Sequence, residues 1–346
     1  MNQMMNQIMK HMMQTTAALA VALTTISAPA WAEKPFHVEA RWSVAGEGGW
    51  DYLSVDSNAH RLYITHGVKL DVVDLQTGKT LGTVAGLTRA HGIVISPDGK
   101  AGFISDGSAN AIIMFDPTTF ATTGRIPTGT NPDGIVYEPL TNTLWAFNGG
   151  SNNATVIDVS QRKVVGTVAL PGRPEFPAAN GTGTIFVNIE DKNSIVRLDA
   201  KTQKVTATWP LANCESPSGL ALDKAGSRLF SVCDGKKMAV TDAKTGKSLA
   251  TPTVGAGPDA AGYDPKSKLA FSSNGEDGTL TVIDTSSPSY PAVQTLSTMK
   301  GARTMALDES TGKIYLVSAQ FGKKDPAASR PAALPNTFTV LVVGHE

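Results

Sequence analysis

Residues 90–127, AHGIVISPDGKAGFISDGSANAIIMFDPTTFATTGRIP, decide the fold. Ile93-Val94-Ile95 runs into the turn Ser96-Pro97-Asp98-Gly99, and Ala101 to Ile104, Ala111 to Phe115 and Thr122 to Ile126 follow. Short apolar runs bounded by Gly, Pro, Asp and Ser read as strands, so this one stretch holds four.

The same unit recurs along the chain. Segments leading into its first strand align at Trp50, Ala90, Pro132, Pro174, Pro217, Pro258 and Ala302, with spacings of 40, 42, 42, 43, 41 and 44 residues. A second series is independent of the first: a β-rich run ends in Asp at Asp74, Asp116, Asp158, Asp199, Asp242 and Asp284, spaced 42, 42, 41, 43 and 42. Asp at a strand end closes a tight turn by accepting backbone N–H groups two residues on, as Asp74-Leu-Gln-Thr-Gly78 and Asp242-Ala-Lys-Thr-Gly246 suggest. Four short strands per period of about 40 residues, with no helical pattern, predict an all-β fold, a β-propeller of seven four-stranded antiparallel blades. A solenoid or a pair of sandwiches does not produce this period.

The two ends predict how the ring closes. The seventh repeat stops after Thr337 to Val343 without a fourth strand. At the other end His37 to Val44 alternates polar and apolar residues as an orphan strand, and its exit Val44-Ala45-Gly46 parallels Val84-Ala85-Gly86. It is expected to complete the last blade, removing two open sheet edges.

Gly49-Trp50-Asp51-Tyr52-Leu53-Ser54-Val55-Asp56, the Ser96-Pro97-Asp98-Gly99 turn and the terminal Thr337-Phe338-Thr339-Val340-Leu341-Val342-Val343-Gly344 resemble the YncE family of YVTN-type seven-bladed propellers. The namesake tetrapeptide is approximated by Tyr63-Ile64-Thr65-His66. The resemblance implies an exported propeller presenting a binding surface, and it carries no catalytic motif.

Composition agrees. Thirty basic residues balance 30 acidic ones, and 33 Gly and 20 Pro suit strands joined by turns rather than disorder or coiled coil. Lys10, the apolar stretch Thr15 to Ile26 and Ala30-Trp31-Ala32 read as a signal peptide over 1–32, cleaved after Ala32. That leaves one domain over 33–346 in a periplasmic or secreted protein, with no later span long enough to cross a bilayer.

Because d-to-a and b-to-c connections share one face of a propeller, the residues after the seven starting positions should ring the channel mouth. They are Asp51, His91, Asp133, Glu175, Ser218, Asp259 and Arg303. Arg303 is expected to pair with Asp259, Asp51 or both. His91, Asp133 and Glu175, on consecutive blades, are the candidate ligands for a divalent metal, no cofactor being otherwise indicated. Against that stands a solvated, structural rim in which Arg89 and Arg173 neutralise the arc. The b-to-c turns add His66, Asp106, Asn148, Glu190, Cys233, Asn274 and Gln320 as candidate ligand contacts on the same face.

The seventh of these turns, Phe321 to Asn336, is long for a compact domain and reads as a lid, a binding loop or a solvated excursion carrying Lys323, Lys324, Asp325 and Arg330. Pairing Asp223 with Ser227 places Pro217 opposite Cys233 and close to Cys214, which predicts a disulfide worth about 3 kcal/mol.

The leading functional expectation is a binding or scaffold module whose partner at the mouth is a protein, a peptide or a small ligand. A lactonase-like or metal-dependent hydrolase is the alternative, with His91 and Glu175 as acid-base candidates and Arg303 holding an anion. Nucleic-acid binding through Lys236-Lys237 and Lys323-Lys324 comes third.

Overall fold

The computed structural model describes residues 34–324 and 331–345. The expected signal peptide, and Asp325, Pro326 and Arg330 of the long loop, lie outside the described residues. Among the described residues, no helix is long and apolar enough to cross a membrane.

The Asp-terminated turns form as the repeat predicts. Asp74 accepts from the Gln76 and Thr77 N–H groups at 3.1 and 2.7 Å, and Asp116, Asp158, Asp199, Asp242 and Asp284 each accept from a backbone N–H two or three residues on. Gly78 finishes its turn at φ +68° and Gly246 at +74°. A side chain at either would collide with the indole of the preceding blade, Trp42 over Gly78 and Trp209 over Gly246. Glycine here serves the turn and the blade-to-blade contact together.

Among the described residues, 28 strands pair into seven antiparallel four-stranded sheets. Six are sequential hairpin stacks. The seventh joins β26 (Met305–Asp308), β27 (Lys313–Ser318) and β28 (Thr339–Gly344) to β1 (His37–Ser43), with Trp42 opposite Val340 and His37 opposite Gly344. The N-terminal strand therefore supplies the missing outer strand.

The first strands of the blades are β2 (Leu53–Asp56), β6 (Ala90–Ile95), β10 (Pro132–Glu138), β14 (Pro174–Ala179), β18 (Leu220–Asp223), β22 (Pro258–Asp264) and β26. Each touches the next, and β26 comes back to β2, which makes a closed inner ring. The core lies between neighbouring blades. Tyr63, Leu70 and Val72 of the first pack with Ile93, Ile104 and Phe115 of the second, and residues of the seventh and first share a cluster around Trp50 and Phe338. Each such side chain contributes about 1.5–3 kcal/mol when fully buried.

The hairpin register of the fifth blade departs from expectation by one residue. Asp223 faces Arg228 rather than Ser227, because Ser227 sits inside the turn at φ +52°. The Cys214–Cys233 disulfide is present nonetheless, its Cα atoms 5.2 Å apart.

Candidate functional site

The inner strands are irregular where the rim begins. The ladders shift between Ala90 and Ile93, Pro132 and Ile135, Pro174 and Pro177, and Pro258 and Ala260, so a bulge brackets His91, Asp133, Glu175 and Asp259. A bulge re-aims the side chains it carries. Second-strand side chains then clamp the next blade's rim backbone: Ser105 Oγ donates to the Asp133 carbonyl, Asn188 Nδ2 to that of Ser218 at 2.8 Å, and Ser273 Oγ to that of Arg303.

The rim side chains form an open belt. Ser218 Oγ donates to Asp259 Oδ1 at 2.7 Å, Asp259 pairs with Arg303, and Arg303 lies 3.6 Å from Asp51. Asp51 Oδ2 is 2.5 Å from His91 Nδ1, which is 3.8 Å from Asp133 Oδ1. Arg303 thus bridges both carboxylates, and also donates to the Trp50 carbonyl at 2.7 Å. Glu175 ends the belt and shares a hydrogen bond with the Glu190 carboxyl.

Charge is crowded in this belt, and the proton affinities respond. Burial opposes a charge on His91, but the Asp51 hydrogen bond and the Asp133 and Asp51 charges outweigh it, so its pKa is raised. Burial and then the Asp51 charge push Asp133 up to about 6. Burial, then Asp133 and Glu190, push Glu175 up to about 10, so it carries a proton at neutral pH. His91 stands between the two carboxylates, in the place a cation would take.

Among the described residues, the three atoms that lie within 4.8 Å of one another and could ligate a metal belong to Asp51, His91 and Asp133. The expected trio had Glu175 in place of Asp51. Asp51 takes the place because the ring brings β2 beside β6, whereas Glu175 turns toward Glu190. Arg173, expected to neutralise this arc, instead pairs with Glu190 at 2.6 Å from a half-exposed position.

Several b-to-c residues do not face a ligand. His66, Asp106, Asn148 and Asn274 are at most 1% exposed. His66 pairs with Asp71 at 2.9 Å and stacks on Phe338, while Asp106 accepts from the Thr88 and Arg89 N–H groups. Asn148 donates to Asn153 and Thr155, and Asn274 to Thr279 and Thr281. These side chains brace their own loops, and that burial corrects their expected role as ligand contacts. Cys233 is likewise buried in its disulfide, whereas Gln320 remains exposed.

Sequence reasoning missed the floor of the mouth. Tyr52 of the first blade stacks on Phe176 of the fourth, ring centroids 4.3 Å apart. Those blades are not neighbours, so the two rings meet across the channel. Burial and the surrounding acids hold the Tyr52 pKa well above its usual value, and its hydroxyl has no hydrogen-bond partner among the described residues. The signal was in the sequence: one position past the rim, the seven repeats read Tyr52, Gly92, Gly134, Phe176, Gly219, Ala260 and Thr304. Two aromatics among small residues are what a filled channel layer requires.

Beside this funnel lies a cavity of about 970 Å³, bounded by Trp50, by Asp259 and Arg303 of the rim, and by Phe321, Ala333 and Pro335 of the long seventh-blade loop. The loop therefore walls one side of the mouth, held by a bridge between Phe321 and Ala333.

No protein-family profile matches the chain. Two curated relatives from Escherichia coli, both described as uncharacterized protein YncE, are 26% identical over 145 residues (O157:H7) and 144 residues (strain K12). The matched stretch takes in 38% of this chain and spans only 41% of each relative's length. Among solved structures, the RRP9 WD40 repeats superpose with a TM-score of 0.74 at 11% identity, over 92% of this chain and 99% of that one. U3-55K gives 0.73 at 9%, over 88% and 98%. A chain of Kuenenia stuttgartiensis hydrazine synthase gives 0.71 at 16%, over 79% and 94%. At such identities these structures speak for the fold alone. With seven four-stranded blades closed by its own N-terminal strand, the chain is a β-propeller that is similar over the matched stretch to the YncE proteins.

Proposed function

We propose that the chain is an exported propeller acting as a binding or scaffold module through the face that carries the channel mouth. The observation that carries this reading is the aromatic floor: Tyr52 and Phe176 stack across the channel one position below the charged rim, and Asp259 and Arg303 of that rim also line the adjoining cavity. Concave sites with a few convergent polar groups are where ligands bind. Export rests on the N-terminal sequence and predicts Glu33 as the first residue of protein recovered from the periplasm.

A thermal-shift panel of peptides, small molecules and divalent ions, followed by hydrogen exchange of each hit, tests the binding face. Hits should slow exchange at the rim loops around Trp50, Pro258 and Ala302. Protection confined to the outer strands would overturn the reading.

One observation favours a second reading, a metal-dependent hydrolase. Asp51, His91 and Asp133 converge closely enough to hold a divalent ion, and the neutral Glu175 carboxyl stands near them as a proton donor. The metal would have to displace the proton on His91, so affinity should rise with pH and vanish in His91→Ala. Titration calorimetry at pH 6 and 8 decides it. Nucleic acid finds less support, because Glu276 and Asp277 separate the Lys236-Lys237 and Lys323-Lys324 pairs around the ring.

A further inference from the structure

The cavity beside the funnel has a chemical character of its own. Its volume, about 970 Å³, suits an organic ligand rather than an ion. Glu47, Asp234 and Glu276 line it, and none of the three is in an ion pair among the described residues. Two cations line it as well. Arg303 is committed to Asp259, Asp51 and the Trp50 carbonyl, which leaves Lys300 as the unpaired positive charge among the described lining residues.

The acids are held in place by the loops beneath them. Gly257, at φ +62°, leaves room for the Glu276 side chain, since a Cβ there would lie 2.5 Å from Glu276 Cγ. Asp234 sits where burial and the charges of Glu190, Glu276, Asp259 and Glu215 all raise its pKa, which reports a negative potential across this side of the mouth.

Another part of the lining is apolar. The Phe321 ring, 36% exposed, packs on Gly301 and lies 6.0 Å from the Trp50 ring, flanked by Pro331 and Pro335. An aromatic face that shares a cavity with uncompensated carboxylates is the pairing that recognises a cation carried on an apolar body. A bare metal ion does not fit. Among the described residues, Asp51, His91 and Asp133 are the one group of three close enough to ligate an ion, and the carboxylates of Glu47, Asp234 and Glu276 are not so gathered.

We propose that this cavity binds a small organic cation, an ammonium or guanidinium group borne on an apolar or aromatic body. The carboxylates of Asp234, Glu276 and Glu47 hold the charge, and Phe321, Pro331 and Pro335 take the body. This deepens the reading of the mouth as a binding face and rests on it.

The experiment pairs two probes of matched shape and opposite charge, 2-phenylethylammonium and 3-phenylpropionate, titrated calorimetrically into the protein at low and at 0.5 M salt. The ammonium should bind with one site, about tenfold or more tighter than the carboxylate, and weaken as salt rises. Asp234→Asn with Glu276→Gln should weaken it about tenfold. Both residues are exposed, so folding is not at risk. Lys300→Gln should act in the opposite sense and tighten the ammonium, and Phe321→Ala should weaken it several-fold. Agmatine and a lysine-bearing peptide then separate a free amine from a basic side chain as the source.

Tighter binding of the carboxylate would overturn the charge assignment while leaving a binding face at the mouth. Binding of neither probe up to about 10 mM, or ammonium binding indifferent to the paired acid substitutions, would overturn the inference itself. The binding-face reading would then stand or fall on rim protection by other hits in the hydrogen-exchange panel.

Discussion

At the scale of single residues, His91, Asp133 and Glu175 of the rim all have raised pKa values. The His91 pKa is raised against the pull of burial because Asp51 and Asp133 flank the ring, and Asp51→Asn should lower it, measured by following the imidazole resonances through a pH titration. An unchanged midpoint would mean the Asp51 contact does not form in solution. Glu175 has the larger consequence. Its folded pKa, near 10, lies above the ordinary 4.5, so its contribution to stability is fully present below about pH 4.5 and is lost as pH rises toward 10. Asp133, near 6, adds a loss of the same sign between about pH 4 and 6. His91 also loses its contribution as pH rises through its raised value. Glu175→Gln keeps the shape and removes the titration. It should raise Tm at pH 8 by about 3 °C, with little change at pH 5. An equal change at both pH values would show that Glu175 is ionised in the fold.

Legibility differed sharply between elements. The seven starts and six terminal Asp residues were readable because each repeat encodes its own hairpins, and local turn chemistry is written in local sequence. Rim membership followed from the same spacing. Its pairings did not, since Asp51 reaches His91 across a blade boundary and Glu175 turns to Glu190 within its own blade, choices made by bulges the spacing cannot show. The one-residue error at Asp223 has the same origin: whether Ser227 belongs to turn or strand depends on a positive φ. The disulfide tolerated that error because Cys214 lies in the loop before β18, where the chain has slack. It closes 19 positions, so Cys233→Ser should lower Tm by about 5–10 °C while far-ultraviolet circular dichroism stays the same. Two freely alkylated thiols in protein matured under oxidising conditions would reject the bond.

At the scale of the whole molecule, stability depends on a circle. The seven inner strands touch in sequence, but β26 meets β2 only because the chain returns, and β1 is the covalent end of that return. β1 contributes more than a ladder to β28. Trp42 lies over the Gly78 turn of the first blade and 5.8 Å from Tyr315, binding the seventh blade to the first. Just before it, Phe36 meets Phe271 edge-on at 5.4 Å and exchanges backbone hydrogen bonds of 2.9 and 2.7 Å with the Gln294 side chain, binding it to the sixth. A chain starting at Val44 loses both clasps and exposes the edge of β28, a template for pairing with other chains. It should melt about 10 °C or more below the full-length protein and aggregate with increasing concentration. A peptide spanning residues 34–43 should restore both properties by adding itself as the outer strand, whereas the same peptide with Trp42→Ala should do so poorly. If the shortened chain melts at the full-length temperature and stays monomeric, the inner ring holds the propeller without its clasp, and the alternation of His37 to Val44 serves only to cover an edge.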